Sequence, residues 1–149
     1  EYAGSDSKRY YRTQKRYRKT GRQMRALLLM ALLFAQDVEP VEIKGLDKKS
    51  FKVAKRSGIT LIEYWAAWNI ANKVTLLDTI TIEDANIYRV MIDTNMDIAT
   101  AEKIVVVPTI IFYDDGAEFK RLQADLTFKM VVTKKDLQKI VDEILMSKF

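Results

Sequence analysis

"ITLIEYWAAWNIANK", residues 59–73, decides how this chain is read. Its first seven residues are β-branched, aromatic or aliphatic except Glu63, the composition of a strand in the middle of a sheet. The next residues form a corner, and a helix is expected to begin near Asn69. Such corners often carry reactive groups. This one carries two tryptophans, Trp65 and Trp68, and two carboxamides, Asn69 and Asn72.

On the N-terminal side, "VEIKGL" reads as a short edge strand. "DKKSFKVAKRS" reads as a helix capped by Asp47 and stopped at Gly58. On the C-terminal side, "IYRVMID" (Ile87 to Asp93) is a further buried strand and "MDIATAEKI" a short helix. "VVVPTIIFYDDGAEFKRLQADL" divides into two antiparallel strands turning at Asp114-Asp115-Gly116. In "TKKDLQKIVDEILMSKF", Thr133 and Asp136 have capping-box spacing. Leu137, Ile140, Val141, Ile144 and Leu145 then make one apolar helix face. Early β-α-β units followed by a hairpin and a helix predict an α/β fold with a mixed sheet covered on both sides.

The chain has 149 residues, 48% apolar and 30% charged, enough for one domain with an extension and a substantial core. It contains no cysteine and no histidine. That composition removes the thiolate nucleophile and the disulfide, together with the commonest general base and transition-metal ligand. Neither a metal site nor a cofactor is expected.

Residues 1–40 read as a basic extension and residues 41–149 as the globular domain. Residues 1–45 hold ten lysines and arginines against five acids, whereas residues 46–149 hold fifteen of each. The excess is concentrated in "SKRYYRTQKRYRKTGRQMR", where Lys8, Arg9, Arg12, Lys15, Arg16, Arg18, Lys19, Arg22 and Arg25 are interleaved with three tyrosines. Such an arm suits an acidic protein face or anionic lipid first and RNA second, with a solvated tail as the bland alternative. "ALLLMALLFA", residues 26–35, follows as an apolar helix, about half the length needed to span a membrane. The pair resembles a secretory signal, though the basic lead is long and the cleavage site imperfect. An all-round apolar helix is expected to be buried against its own domain and a partner, or to lie on a membrane surface.

The order of these segments resembles the thioredoxin family from about Val41 to Ile144. "TLIEYWAAW" is similar to that family's strand with an acidic residue, an aromatic and Trp-Ala-X-Trp. "VVVPT" is similar to its cis-proline motif, which implies a cis Val107-Pro108 bond. The spacing from Asp93 to Pro108 agrees. The resemblance implies a thioredoxin-like fold, with Asn69-Ile70-Ala71-Asn72 standing where the family carries Cys-X-X-Cys. Carboxamides cannot perform thiol–disulfide exchange. Asn69 is then expected to serve as the helix N-cap. Glu63 matches the family's buried acid and Arg89 its basic partner, implying a structural ion pair, with a poised acid–base group as the rival. Trp65, Trp68, Val107, Pro108 and Thr109 would line the family's peptide groove.

Three departures stand out. The 24 residues from Asn69 to Asp93 are too few for the usual second helix, so a shorter helix or a loop around "DTITIEDAN" is expected. Ala124 stands near an expected glycine and would crowd the groove. "LTFKMVV", Leu126 to Val132, is additional sequence. The expectation is a redox-inactive structural or docking subunit of a larger complex, with a mitochondrion or plastid favoured and no small-molecule substrate. The alternatives are a peptide-binding or chaperone-like module and an RNA-contacting ribosomal accessory protein.

Overall fold

The computed structural model describes residues 43–149; the basic arm and the apolar helix expected at 26–35 lie outside the described residues. Helix α1 (Lys48–Ala54) starts as expected. Asp47 accepts from the backbone of Lys49 and Ser50, and Ser50 closes the capping box. The chain leaves α1 through Gly58 at φ 73°, a conformation open to glycine without a Cβ penalty.

Strand β1 (Ile59–Trp65) is the hub of a four-stranded sheet ordered β2-β1-β3-β4. It runs parallel to β2 (Asn86–Met91) and antiparallel to β3 (Thr109–Asp114), which pairs antiparallel with β4 (Ala117–Gln123). The sheet is mixed, as the pattern predicts. The β3–β4 turn places Asp115 at φ 48° and Gly116 at φ 94°. Two positive φ values in a two-residue loop match the right-handed strand twist, which is why Asp-Gly suits this site.

Because strand side chains alternate, β1 feeds two separate cores. Ile59 and Leu61 join Ile110, Phe112, Val74 and Leu77 against helix α3 (Lys134–Met146). Ile62 and Tyr64 join Val90, Ile111 and Tyr113 against α1 and the short helix α2 (Met96–Ala101). Helix α3 carries the predicted Thr133–Asp136 capping box and buries Leu137, Ile140, Val141 and Ile144. Each such side chain contributes roughly 1.5–3 kcal/mol of transfer free energy.

Three expectations need correction. "VEIKGL" forms no strand among the described residues: Gly45 makes a single parallel bridge to Arg89, through the Leu46 N–H and the Lys44 carbonyl. No α-helix begins near Asn69. The corner is a 3-10 turn, Ala67–Asn72, followed by a second, Thr75–Thr79, and then loop to β2. The short span to Asp93 thus removes the second helix, as its length suggests. Strand β2 is an outer, half-buried strand rather than a buried one, ending at Met91 so that Ile92 and Asp93 enter a further 3-10 turn.

Candidate functional site

The corner after β1 is built from backbone groups and carboxamides. Its turn begins at Ala67, and the Ala67 N–H donates at 2.7 Å to Asp93 Oδ2 at the far end of β2. Ala66 is the N-cap residue and makes no side-chain cap. The expected N-cap role of Asn69 is therefore incorrect. An acidic residue 26 positions away holds the first N–H of the turn.

Asn69 is buried and bonded on both sides of its amide. Its Nδ2 donates to the carbonyl of Val107 at 3.0 Å and reaches the carbonyl of Phe128 at 3.4 Å. Its Oδ1 accepts from Asn72 Nδ2 at 2.7 Å. One side chain thus fastens the corner to the segment before Pro108 and to the loop after β4. Neutral carboxamides do not titrate in water's range, so this network holds geometry over a wide pH span.

The Val107-Pro108 peptide is cis, as the resemblance implies. Val107, Pro108 and Thr109 are buried, and Thr109 Oγ1 donates to the Val106 carbonyl at 2.7 Å. Trp65 is half-buried beneath the Lys73 ammonium, 5.2 Å from its ring centroid. Trp68 and Ile70 face solvent, 63% and 62% exposed. Both present apolar surface to solvent at the corner.

The additional sequence at Leu126 to Val132 returns to this corner. Phe128 meets Trp68 edge-to-face with ring centroids 5.4 Å apart. Asp125 shapes the loop by accepting from the backbone of Thr127 and Lys129, and Phe128 adopts φ 60°. Ala124 donates its N–H to the Pro108 carbonyl at 3.0 Å, so the loop is anchored beside the cis peptide. Leu126 and Val131 on the same loop are almost wholly exposed.

Glu63 lies beneath the corner with no solvent exposure, directly opposite Arg89 in the β1–β2 register. Arg89 Nε donates to Glu63 Oε2 at 2.5 Å, and the Val74 N–H donates to Oε1 at 2.7 Å. Arg89 also donates to the carboxylate of Asp78 and, at 2.8 Å, to the Val74 carbonyl. Burial raises the Glu63 carboxyl above its usual range, against the opposing pull of Arg89 and Val74. For Arg89, burial disfavours the charge, but hydrogen bonds to Asp78 and Glu63 outweigh it and hold the guanidinium above its ordinary value. The structure thus brings the predicted Glu63–Arg89 pair together and gives it a third charged member. The pair clamps residues 74–78 over the sheet.

Among the described residues no group of three potential metal-binding side chains occurs, and no buried side-chain polar atom lacks a partner. Sequence reading misses Asp93, Asp78 and Phe128. An aspartate directly after a strand is a signal for Asp93; for Asp78 and Phe128, nothing local points to partners so far along the chain.

A mixed sheet with a corner between its central strand and a cis-proline loop defines a thioredoxin-fold domain. The thioredoxin family profile matches residues 42–143, and this chain belongs to the thioredoxin family. A thioredoxin of Mycoplasma genitalium is 34% identical over 84 residues, covering 54% of this chain and 81% of that protein. Among solved structures, a thioredoxin from Nicotiana alata superposes with a TM-score of 0.57 at 15% identity, covering 73% of this chain and 97% of the other. The Malassezia sympodialis thioredoxin Mala s 13 gives 0.55 at 20% identity, covering 73% of this chain and 96% of that one.

Proposed function

We propose that this thioredoxin-family domain is a non-catalytic docking subunit of a larger protein assembly, contacting its neighbour through the solvent face of the corner. The observation that carries this reading is the side-chain bond between Asn69 and Asn72. Two carboxamides occupy the positions that carry thiols in the resemblance, and they are tied to each other and to the loops around them. Thiol–disulfide exchange needs an attacking thiolate, which neither side chain provides. Glu63 gives no support to acid–base work, because both its oxygens are engaged by Arg89 and the Val74 N–H. Meanwhile Trp68, Ile70 and Phe128 form an apolar face beside exposed Leu126 and Val131. Aromatic anchors of this kind dominate protein interfaces. The basic segment 7–25 supplies a second point of attachment to an acidic protein face, anionic lipid or RNA, and the proposed setting is a mitochondrial or plastid complex.

Peptide capture by backbone pairing beside the cis proline is the weaker reading. The Val107 carbonyl beside the cis proline already accepts from Asn69, so an extended peptide would have to share it.

Native mass spectrometry of particles containing the tagged chain tests the proposal. Trp68→Ala with Phe128→Ala should release the chain from its high-mass particle while its thermal unfolding changes little. A chain that is always a monodisperse monomer would sink the docking reading. Turnover by the pure protein in an insulin-reduction assay would sink the non-catalytic one.

A further inference from the structure

On the other side of the sheet from the corner, α1 and α2 flank a cleft of about 470 Å³. Lys48, Phe51, Lys52 and Lys55 have the spacing of one helix face, and all four line it, followed by Arg56 just past the helix end. Asp97, Ile98, Ala101 and Glu102 line the opposite wall. Buried Phe51 and Ile98 give it an apolar floor.

The cations divide into two kinds. Lys48 pairs with Asp97 at 2.6 Å and Lys55 with Glu102 at 2.7 Å. Lys55 is further committed, sitting 4.5 Å from the centroid of the Tyr113 ring, while Tyr113 donates to Glu102 at 2.8 Å. Lys52 and Arg56 make no ion pair among the described residues. Arg56 is steadied by the hairpin turn: a Cβ at Gly116 would lie 3.0 Å from its Cγ, so its stem lies against that glycine. Four cations against two carboxylates leave the cleft a local surplus of two, although residues 46–149 as a whole hold fifteen of each.

Lys52 and Arg56 are four residues apart, a separation of roughly 6 Å along a helix. Alternate residues of an extended chain are about 6.8 Å apart, a similar main-chain spacing. We propose that this cleft binds an extended acidic segment of a partner protein, two carboxylates at alternate positions pairing with Lys52 and Arg56 while an apolar side chain rests on Phe51 and Ile98. Charge complementarity sets the register, and the apolar floor adds the contact that free ions in solution cannot make. The site is independent of the corner face, so a partner held at both would grip the domain on two sides.

The test is fluorescence anisotropy of labelled Glu-Ser-Glu-Ser-Leu peptide with the full chain at low salt. Lys52→Glu with Arg56→Glu should weaken binding about tenfold, because two attractive pairs become repulsive. Lys44→Glu with Lys49→Glu makes the same change of net charge on the other flank of α1 and should alter binding by less than about twofold. The basic arm attracts the probe equally in both variants, so the comparison isolates the cleft. Equal weakening by the two pairs, or no weakening by the first, overturns the proposal. A probe with serine in place of leucine should bind the wild type about threefold more weakly, and unchanged affinity removes the apolar contact.

Discussion

Glu63 and Tyr64 are neighbours in one strand, yet each serves a different face of the sheet and a different kind of polar cluster. Under the corner, buried Glu63 meets buried Arg89 and the Val74 backbone, and Arg89 reaches on to Asp78 at the edge of the cluster. On the opposite face, the Tyr64 hydroxyl lies 2.7 Å from that of Tyr113, which donates to Glu102, which pairs with Lys55 near the surface. The first cluster concentrates charge in the interior; the second passes from buried neutral phenols to a charge pair that water partly reaches. Burial pushes both phenol pKa values upward, so both hydroxyls remain protonated at any physiological pH. The lesson concerns failure. Removing one member of a sealed ion pair leaves a naked charge, whereas removing a phenol oxygen leaves only an unmet dipole.

That contrast can be broken experimentally. Arg89→Ala should have the largest effect, about 3–5 kcal/mol in urea unfolding, because Glu63 is left buried and unpaired. Tyr113→Phe should cost about 1–3 kcal/mol, since it removes the hydroxyl that joins Tyr64 to Glu102. If the two losses were equal, the distinction between the clusters would collapse. Asn69→Ala should cost about 1–3 kcal/mol by orphaning the buried Val107 carbonyl, and Asn72→Ala should cost less, about 0.5–1.5 kcal/mol, for one neutral bond. Loss of Trp68–Phe128 packing in the Asn69 variant, read as a red shift in tryptophan emission, would sharpen the assignment of Asn69 as the fastener of that loop.

The smallest effect is a slope with pH. The folded carboxyl of Glu63 lies above its usual range, so the folded state binds that proton more tightly than the unfolded one. Its contribution is complete below the ordinary glutamate value and is lost as pH rises through the raised folded value. The stability of wild type minus that of Glu63→Gln should therefore fall as pH climbs through that window. A difference that rises instead would mean that Arg89 lowers the carboxyl more than burial raises it.

Much of this architecture is legible in the sequence because its signals are local. The Asp47 and Thr133 caps, the Asp115-Gly116 turn and the apolar face of α3 each lie within a few consecutive residues. The Glu63–Arg89 pairing came through the family resemblance, and the β1–β2 register places the two opposite each other. The corner is harder. Asparagine ahead of a turn suggests a cap, but Asn69 spends its amide on carbonyls 38 and 59 residues away. No local pattern encodes that choice. Likewise, 3-10 turns stand where a helix is expected, and the Val74 N–H after the first turn donates to Glu63. The apolar residues of Leu126 to Val132 read as added sequence; only the fold shows that one of them returns to Trp68.

The double attachment of Asn69 bears on reversibility. Cysteines placed at positions 69 and 72 would have Cys-X-X-Cys spacing, but not the donors now used at the corner. A thiol is a weak donor, and the Val107 carbonyl would lose its 3.0 Å partner. The loop carrying Phe128 would lose its fastening in the same step. Cysteine at both positions would therefore begin as a structural loss, felt at the cis-proline segment and at the loop after β4 alike.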